Sequence, residues 1–165
     1  MIKKIMLNNF LCHKNTTLSF NPGITVFVGH NGSGKSSIID SITFALFGEH
    51  TRKSNKNLSM KGLNQSIPEE GGSFVLMDFS VGATDYKIQR QINGSGQLIS
   101  AKLEQIVKPS GTLNGNEWNH GQKENFAVFR PVISGERKQL GESVINEVKT
   151  ILGIDYPKLQ IASII

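Results

Sequence analysis

One stretch decides the fold of this 165-residue chain: Gly29-His30-Asn31-Gly32-Ser33-Gly34-Lys35-Ser36-Ser37. It fits the pattern G-x-x-x-x-G-K-[ST], in which glycines let successive backbone N–H groups turn inward around an anion. The helix predicted to begin at about Lys35 adds the positive end of its dipole and its unpaired N–H groups. We therefore interpret residues 29–37, called the phosphate loop below, as a nucleotide site, with Lys35 on the β- and γ-phosphates and the Ser36 hydroxyl on Mg²⁺.

The residues on either side of the phosphate loop support this interpretation. Upstream, the apolar, β-branched run Ile24-Thr25-Val26-Phe27-Val28 predicts a strand that is buried on both faces. Downstream, apolar residues at helical spacing, followed by Gly48, predict a helix to about Phe47. A dinucleotide-binding loop is excluded, because Gly32-Ser33-Gly34 is not followed by the third glycine of that fingerprint.

The composition places the chain among ordinary globular domains. Hydrophobic residues make up 38% and charged residues 19% of the sequence, which is large enough for one domain with its own core. No apolar run approaches the length of a membrane span and no secretory signal is present, so we expect a cytoplasmic protein with no membrane partner. The single cysteine, Cys12, excludes an internal disulfide framework and is predicted to be a small buried or half-buried side chain.

The net charge of +5 is unevenly distributed. Residues 1–61 hold eight Lys and Arg residues against two acidic residues, whereas the remainder holds ten against eleven. A basic half suits a polyanion, either a nucleotide or a nucleic acid. Arg52, Lys53 and Lys56 are predicted to lie in an exposed loop, which either contacts the DNA backbone or is simply solvated.

The rest of the chain reads as short strands followed by a helix. Period-two alternation and turn residues predict strands over 2–7, 17–20, 74–81 and 85–92, a hairpin over 86–101 and a short strand over 126–129. Residues 48–72 and 108–125 are predicted to be loops, and a helix is predicted over 141–152, with a last helical turn opening at Pro157. The predicted fold class is α/β, with a mixed sheet around the phosphate-loop helix and an additional antiparallel β part.

The sequence lacks the acidic half of a hydrolase site. A phosphate-loop hydrolase needs a carboxylate beside Mg²⁺ and a group that orients the attacking water. Asp78 is the one local candidate, but Phe79 follows it and the alternation of 74–81 favours a half-exposed antiparallel strand. Asp78 is also one residue too far from Gly82 for a D-x-x-G motif, which disfavours a self-contained GTPase or nucleotide kinase. No catalytic residue is assigned within this chain.

Three segments together resemble the start of the SMC-like ATPases: Leu7-x-Asn9-Phe10-x-x-His13, then Phe20-x-x-Gly23-Ile24-Thr25, then the phosphate loop followed by Ile42. Residues 42–48 look closest to the archaeal Rad50 and SbcC branch. The resemblance implies that residues 1–165 form the N-terminal lobe, and only that half, of an ABC-type ATPase head. A coiled coil and a C-terminal half would lie elsewhere in the protein, and the C-terminal half would supply the carboxylates. The glutamine that senses Mg²⁺ and the γ-phosphate would also lie outside this chain. A signature loop from a second head would close the nucleotide site. We accordingly expect the polypeptide to continue past the apolar residues 161–165.

The resemblance also implies a function. ATP with Mg²⁺ would join two heads into a homodimer that binds double-stranded DNA. This dimer would work with an Mre-type nuclease in double-strand-break repair. The protein would be a cytoplasmic, nucleoid-associated ATPase of an archaeon or a bacterium. The alternative is an SMC-type chromosome-organising ATPase head. Residues implied to line the ATP site are Asn31, Gly32, Ser33, Gly34, Lys35, Ser36 and Ser37, with His13 and Lys61 beside them. Leu11 departs from the family, because many members carry a basic residue there.

Overall fold

A computed structural model describes residues 1–51, 73–93, 98–107, 128–133 and 139–162. The strands form one antiparallel sheet in the order β2-β1-β3-β4-β5-β6. The elements are β1 (Ile2–Phe10), β2 (His13–Ser19), α1 (Lys35–Phe47), β3 (Ser73–Val81), β4 (Thr84–Ile92), β5 (Leu98–Val107), β6 (Val128–Ile133), α2 (Gln139–Leu152) and α3 (Tyr156–Ala162).

One face of the sheet forms the core. A row of side chains crosses four strands in register, and each of its members is fully buried: Ile5, Met77, Ile88 and Leu103. Side chains alternate between the two faces of a strand, so the period-two pattern of β3 and β4 puts their apolar residues on this face. Burial of one such side chain stabilises the fold by roughly 1.5–3 kcal/mol.

The opposite face carries a row of alternating charge. Lys4 pairs in register with Asp78, Asp78 with Lys87, and Lys87 with Glu104. Opposite charges on directly paired positions each contribute roughly 0.2–1 kcal/mol. Asp78 therefore points away from the core face, as the alternation of β3 predicts, but it is half-buried and its Oδ1 has no hydrogen-bond partner among the described residues.

The helices cover the core face. Helix α1 contacts β1, β3 and β4, while α2 lies over β5 and β6 and also contacts α1. Nine of the 13 residues of α1 are buried, which makes it an interior helix rather than a surface one. Aromatic contacts fix it on both sides: Phe44 lies 5.5 Å from Phe10 and Phe47 lies 6.2 Å from Tyr156, between ring centroids.

Most predicted elements are confirmed. The helix begins at Lys35, β3 and β4 match their predicted spans, β4 and β5 pair as the predicted hairpin arms, and α2 ends before Gly153, whose φ is 69°. Strand β6 begins at Val128, two residues after its predicted start. The predicted turn at 94–96, most of the loop over 48–72 and the loop over 108–125 lie outside the described residues.

Two predictions are wrong. The sheet is antiparallel throughout its described strands rather than mixed. Residues 24–28 form no strand, and Ile24, Val26 and Val28 are 95%, 73% and 89% exposed. A strand buried on both faces needs a neighbour on each edge and cover on each face. The described strands supply neither to residues 24–28, which explains the exposure.

No helix among the described residues is long and apolar enough to span a membrane.

Substitution of a core residue of β4 should destabilise the protein far more than substitution of its outward-facing neighbour. Ile88→Ala removes a fully buried side chain and should lower the free energy of unfolding by about 2–5 kcal/mol. The matched control Gln89→Ala lies on the other face and should change it by about 0.5 kcal/mol or less. Urea unfolding measures both values, and equal losses would contradict the assigned register.

Candidate functional site

The phosphate loop leads directly into α1 through a glycine with a left-handed backbone conformation. Gly34 is the N-cap of α1 with φ 92°, and no side chain caps this end of the helix. Gly32 also has a positive φ, of 82°. The first N–H groups of any α-helix lack partners within the helix, so an uncapped N-terminus leaves them available to an anion. An anion could therefore reach the N–H groups at this end of α1.

The side chain of Lys35 folds back over the loop. Its Nζ donates to the carbonyl oxygens of Gly29 and His30, both at 2.8 Å, and to Ser33 Oγ at 3.4 Å. The backbone closes the same curve with a bond from Ser33 N to His30 O of 3.2 Å. The ammonium group is thus held at the centre of the loop, where a bound phosphate would meet it.

The turn between β1 and β2 packs against the start of α1. His13 Nε2 donates to Gly34 O at 3.2 Å, and because a carbonyl only accepts, Nδ1 then accepts from the Thr16 hydroxyl at 3.1 Å. Cys12 Sγ donates to Ser37 Oγ at 3.4 Å. Leu11 in this tight turn has a φ of 50°, which is uncommon for a bulky residue. The turn brings His13 to the phosphate loop but leaves Cys12 exposed, so the prediction that Cys12 is buried or half-buried is wrong.

The predicted site residues differ in their accessibility. Ser37 is 2% exposed, while Lys35 is half-buried. The exposed members of the loop are Gly29, His30, Asn31, Gly32, Ser33 and Ser36. Ser36 therefore presents its hydroxyl to solvent in the first turn of α1, where a ligand could reach it, whereas Ser37 contributes to packing.

Four predicted site residues are not tested by this structure. Lys61, Arg52, Lys53 and Lys56 lie outside the described residues. In the part of the chain that the structure describes, no group of three or more His, Cys, Asp or Glu side chains could hold a metal ion. A Mg²⁺ ion at Ser36 would accordingly need further ligands from the nucleotide, from water or from other protein segments.

The C-terminal end of α1 carries contacts that the sequence analysis missed. Arg90 of β4 donates from Nε to Ala45 O at 2.7 Å and from Nη2 to Leu46 O at 3.2 Å. Burial lowers the pKa of Arg90 to about 10, so its guanidinium stays charged at neutral pH. Asp40, fully buried, accepts bonds from Thr51 N at 3.0 Å and Thr51 Oγ1 at 2.5 Å. A charged residue at a core position of β4 was the signal in the sequence.

Alanine at Gly34 should be far more damaging than alanine at Gly32. Both glycines have positive φ, which costs an alanine roughly 1–2 kcal/mol. A Cβ on Gly34 would also lie 2.8 Å from Cys12 Sγ and 2.9 Å from His13 Nε2, whereas one on Gly32 meets nothing within 4 Å. Gly34→Ala should therefore cost a further 1–3 kcal/mol or so of unfolding free energy. Equal losses in chemical denaturation would show that the β1–β2 turn does not pack on Gly34.

The chain is similar to one known protein family and to several known proteins. The family described as AAA domain matches residues 4–155. The Rad50 double-strand break repair ATPase of Saccharolobus solfataricus is 39% identical over 114 residues, covering 64% of this chain and 13% of that protein. The Rad50 ATPase of Methanocaldococcus jannaschii is 38% identical over 113 residues, covering 68% of this chain and 10% of that protein. Structural maintenance of chromosomes protein 6 of Takifugu rubripes is 33% identical over 130 residues, covering 65% of this chain and 12% of that protein.

The fold has a counterpart among solved structures. A chain from a study of ATP-driven dimerization and DNA-stimulated activation of SMC ATPases superposes with a TM-score of 0.57 at 20% identity, covering 94% of this chain and 81% of that one. The chain spans 10–13% of the length of the three sequence relatives above. Because the family match extends over nearly the whole chain, this protein belongs to the AAA domain family, with Rad50 ATPases among its relatives.

Proposed function

We propose that this chain is the N-terminal half of the ATPase head of a Rad50-like DNA double-strand-break repair protein. One observation carries the proposal: the phosphate loop opens, uncapped, onto the N-terminus of a buried helix in a chain whose relatives are Rad50 ATPases. The whole protein would hydrolyse ATP, and ATP would act mainly as a switch that joins two heads. Residues 1–165 would be the N-terminal lobe of an ABC-type head, with the coiled coil and the C-terminal half in the remaining polypeptide.

The loop residues have distinct roles in this proposal. Backbone N–H groups of residues 31–37 would surround the β-phosphate, and the Ser36 hydroxyl would ligate Mg²⁺, which balances the charge of the phosphates when bound. Lys35 would exchange its carbonyl partners on Gly29 and His30 for phosphate oxygens. Its ammonium moves little in that exchange, because it already lies at the centre of the loop. His13, which contacts Gly34 O, would line the site, and Lys61 would approach it from the following segment.

The exposed apolar segment 24–28 supports a split head. Three β-branched side chains at 73–95% exposure are an uncommon feature of a finished surface. They immediately precede the phosphate loop, and the segment is of strand length. Strands from the C-terminal half would pair with both edges of this segment and bury it. The same half would bring the carboxylates and the water-orienting group that this chain lacks.

Double-stranded DNA and an Mre-type nuclease are the proposed macromolecular partners. The basic balance of residues 1–61 supports DNA, and the nuclease is proposed from the similarity to Rad50 ATPases. The second candidate, an SMC-type chromosome-organising head, is supported by the relative from Takifugu rubripes. Pull-down of the full-length protein with an Mre-type nuclease or with a kleisin-type linker distinguishes the two.

Removal of the Lys35 ammonium should abolish ATP-dependent behaviour of the full-length protein. Lys35→Ala is expected to weaken ATP binding by at least about tenfold and to prevent ATP-dependent dimerisation, because one charge-assisted contact to phosphate is lost. Isothermal titration and light scattering with ATP measure these two properties. Lys102→Ala, an exposed lysine of β5, is the control and should behave as the wild type. Undiminished dimerisation of Lys35→Ala would refute the role of this lysine.

A charge in segment 24–28 should prevent assembly with the C-terminal half. ATP turnover is expected only when this chain is mixed with the rest of its own protein, and Ile24→Asp should eliminate that turnover because a buried unpaired carboxylate is costly. Ile99→Asp is a matched change, since Ile99 is also an exposed isoleucine but lies on β5. Equal turnover by the unmixed chain would instead show that its own residues complete the site.

A further inference from the structure

Arg90 occupies a position at which the strand pattern calls for an apolar residue. It lies on β4 between Ile88 and Ile92, which are 0% and 2% exposed, and it shares their core-facing side. Arg90 itself is 1% exposed and is the largest fully buried side chain in the described residues. A buried cation costs several kcal/mol in lost hydration unless its donors are satisfied. A need for core volume alone does not explain an arginine here.

The bonds that Arg90 makes explain it. Ala45 O and Leu46 O belong to the last turn of α1, where carbonyl oxygens run out of N–H partners in the helix. The fork of the guanidinium donates one N–H to each, at 2.7 and 3.2 Å, and its charge faces the negative end of the helix dipole. Gly48 ends the helix with φ 70° and donates its own N–H to Phe44 O. A Cβ there would make only an ordinary contact, 3.5 Å from Arg90 Nη1, so the left-handed backbone conformation rather than a lack of space favours glycine at this position.

The two ends of α1 are held unequally. At the N-terminus the β1–β2 turn contributes a bond of 3.2 Å to Gly34 O and a thiol contact of 3.4 Å to Ser37, and no side chain caps the helix. At the C-terminus two charge-assisted bonds join α1 to β4 across 44 or 45 residues of sequence. Directional bonds to two successive carbonyls therefore add a second constraint on the axial position of α1, besides the apolar packing of its buried face.

We infer that Arg90 is a positioning residue for the phosphate loop, acting through α1. The helix is about 20 Å long, since each residue adds about 1.5 Å, and it is rigid over that length. Fixing its C-terminal carbonyls on β4 therefore fixes where its N-terminal N–H groups and Lys35 stand relative to the β1–β2 turn. Arg90 contacts no nucleotide in this scheme. The inference rests on the proposed nucleotide site.

The test compares MgATP affinity of full-length variants at a temperature at which unfolding curves show each of them folded. Arg90→Met keeps the apolar stem and removes the fork, and we expect affinity to fall about tenfold. Arg90→Lys keeps the charge but replaces the two-pronged guanidinium with one ammonium group, and we expect the affinity to fall only about threefold. Partial rescue by lysine at equal folded fraction is the signature of positioning, because a purely structural loss would disappear once only folded protein is compared. Lys102→Met on β5 is the control for removal of a cation and should bind like the wild type.

The outcomes separate this inference from the proposed function. Absence of MgATP binding by the wild-type protein would refute the proposed function itself. Wild-type binding together with Arg90→Met affinity within twofold of it would overturn the positioning role alone. If Arg90→Met does not fold, Arg90→Lys decides: a threefold or greater loss supports the role, and unchanged affinity overturns it.

Discussion

The placement of helix α1 on the sheet is the constraint on which the rest of the structure depends. It is buried along most of its length, so both its faces must fit: one on β1, β3 and β4, the other on α2. Its ends have opposite requirements. The C-terminal carbonyls are satisfied by Arg90, which stabilises the protein, while the N-terminal N–H groups are left without a side-chain cap. Leaving them so sacrifices the roughly 0.5–2 kcal/mol that a capping side chain contributes, which is the expected cost of a binding site.

The core and the phosphate loop segment are stabilised by different parts of the protein. Strands β1, β3, β4 and β5 and the three helices supply the buried residues of the core, and this core contains no residue of segment 24–28. That segment contacts the core through Phe27, whose ring lies 6.3 Å from that of Phe20. Because the apolar side chains of this segment are exposed, it is available for pairing, and assembly with other strands would order the phosphate loop from its upstream side. The downstream side is already ordered by α1.

The sequence was informative wherever one local rule acted alone. Period-two alternation located β3 and β4, and apolar spacing with Gly153 located α2, because each of these elements buries a single face. The same reasoning failed at 24–28. An apolar run there favours a buried strand, but it does not show that neighbouring strands are present to pair with it. Arg90 was missed for a related reason. A single arginine in a strand reads as an exposed residue, and the helix carbonyls that it satisfies lie 44 and 45 residues away.

The hydrogen bonds of Lys35 bear on how a nucleotide would enter. Its ammonium already has three partners within the loop, two of them carbonyl oxygens at 2.8 Å. Binding would therefore exchange neutral acceptors for anionic ones rather than capture a freely moving side chain, so little rotamer entropy remains to be lost. The same bonds hold the backbone of Gly29 and His30 curved around the Lys35 ammonium. Because Gly29 follows directly on segment 24–28, strand pairing there and phosphate binding at Lys35 act on one short stretch of backbone. Each would favour the conformation that the other needs, and this coupling would link nucleotide binding to assembly of the head.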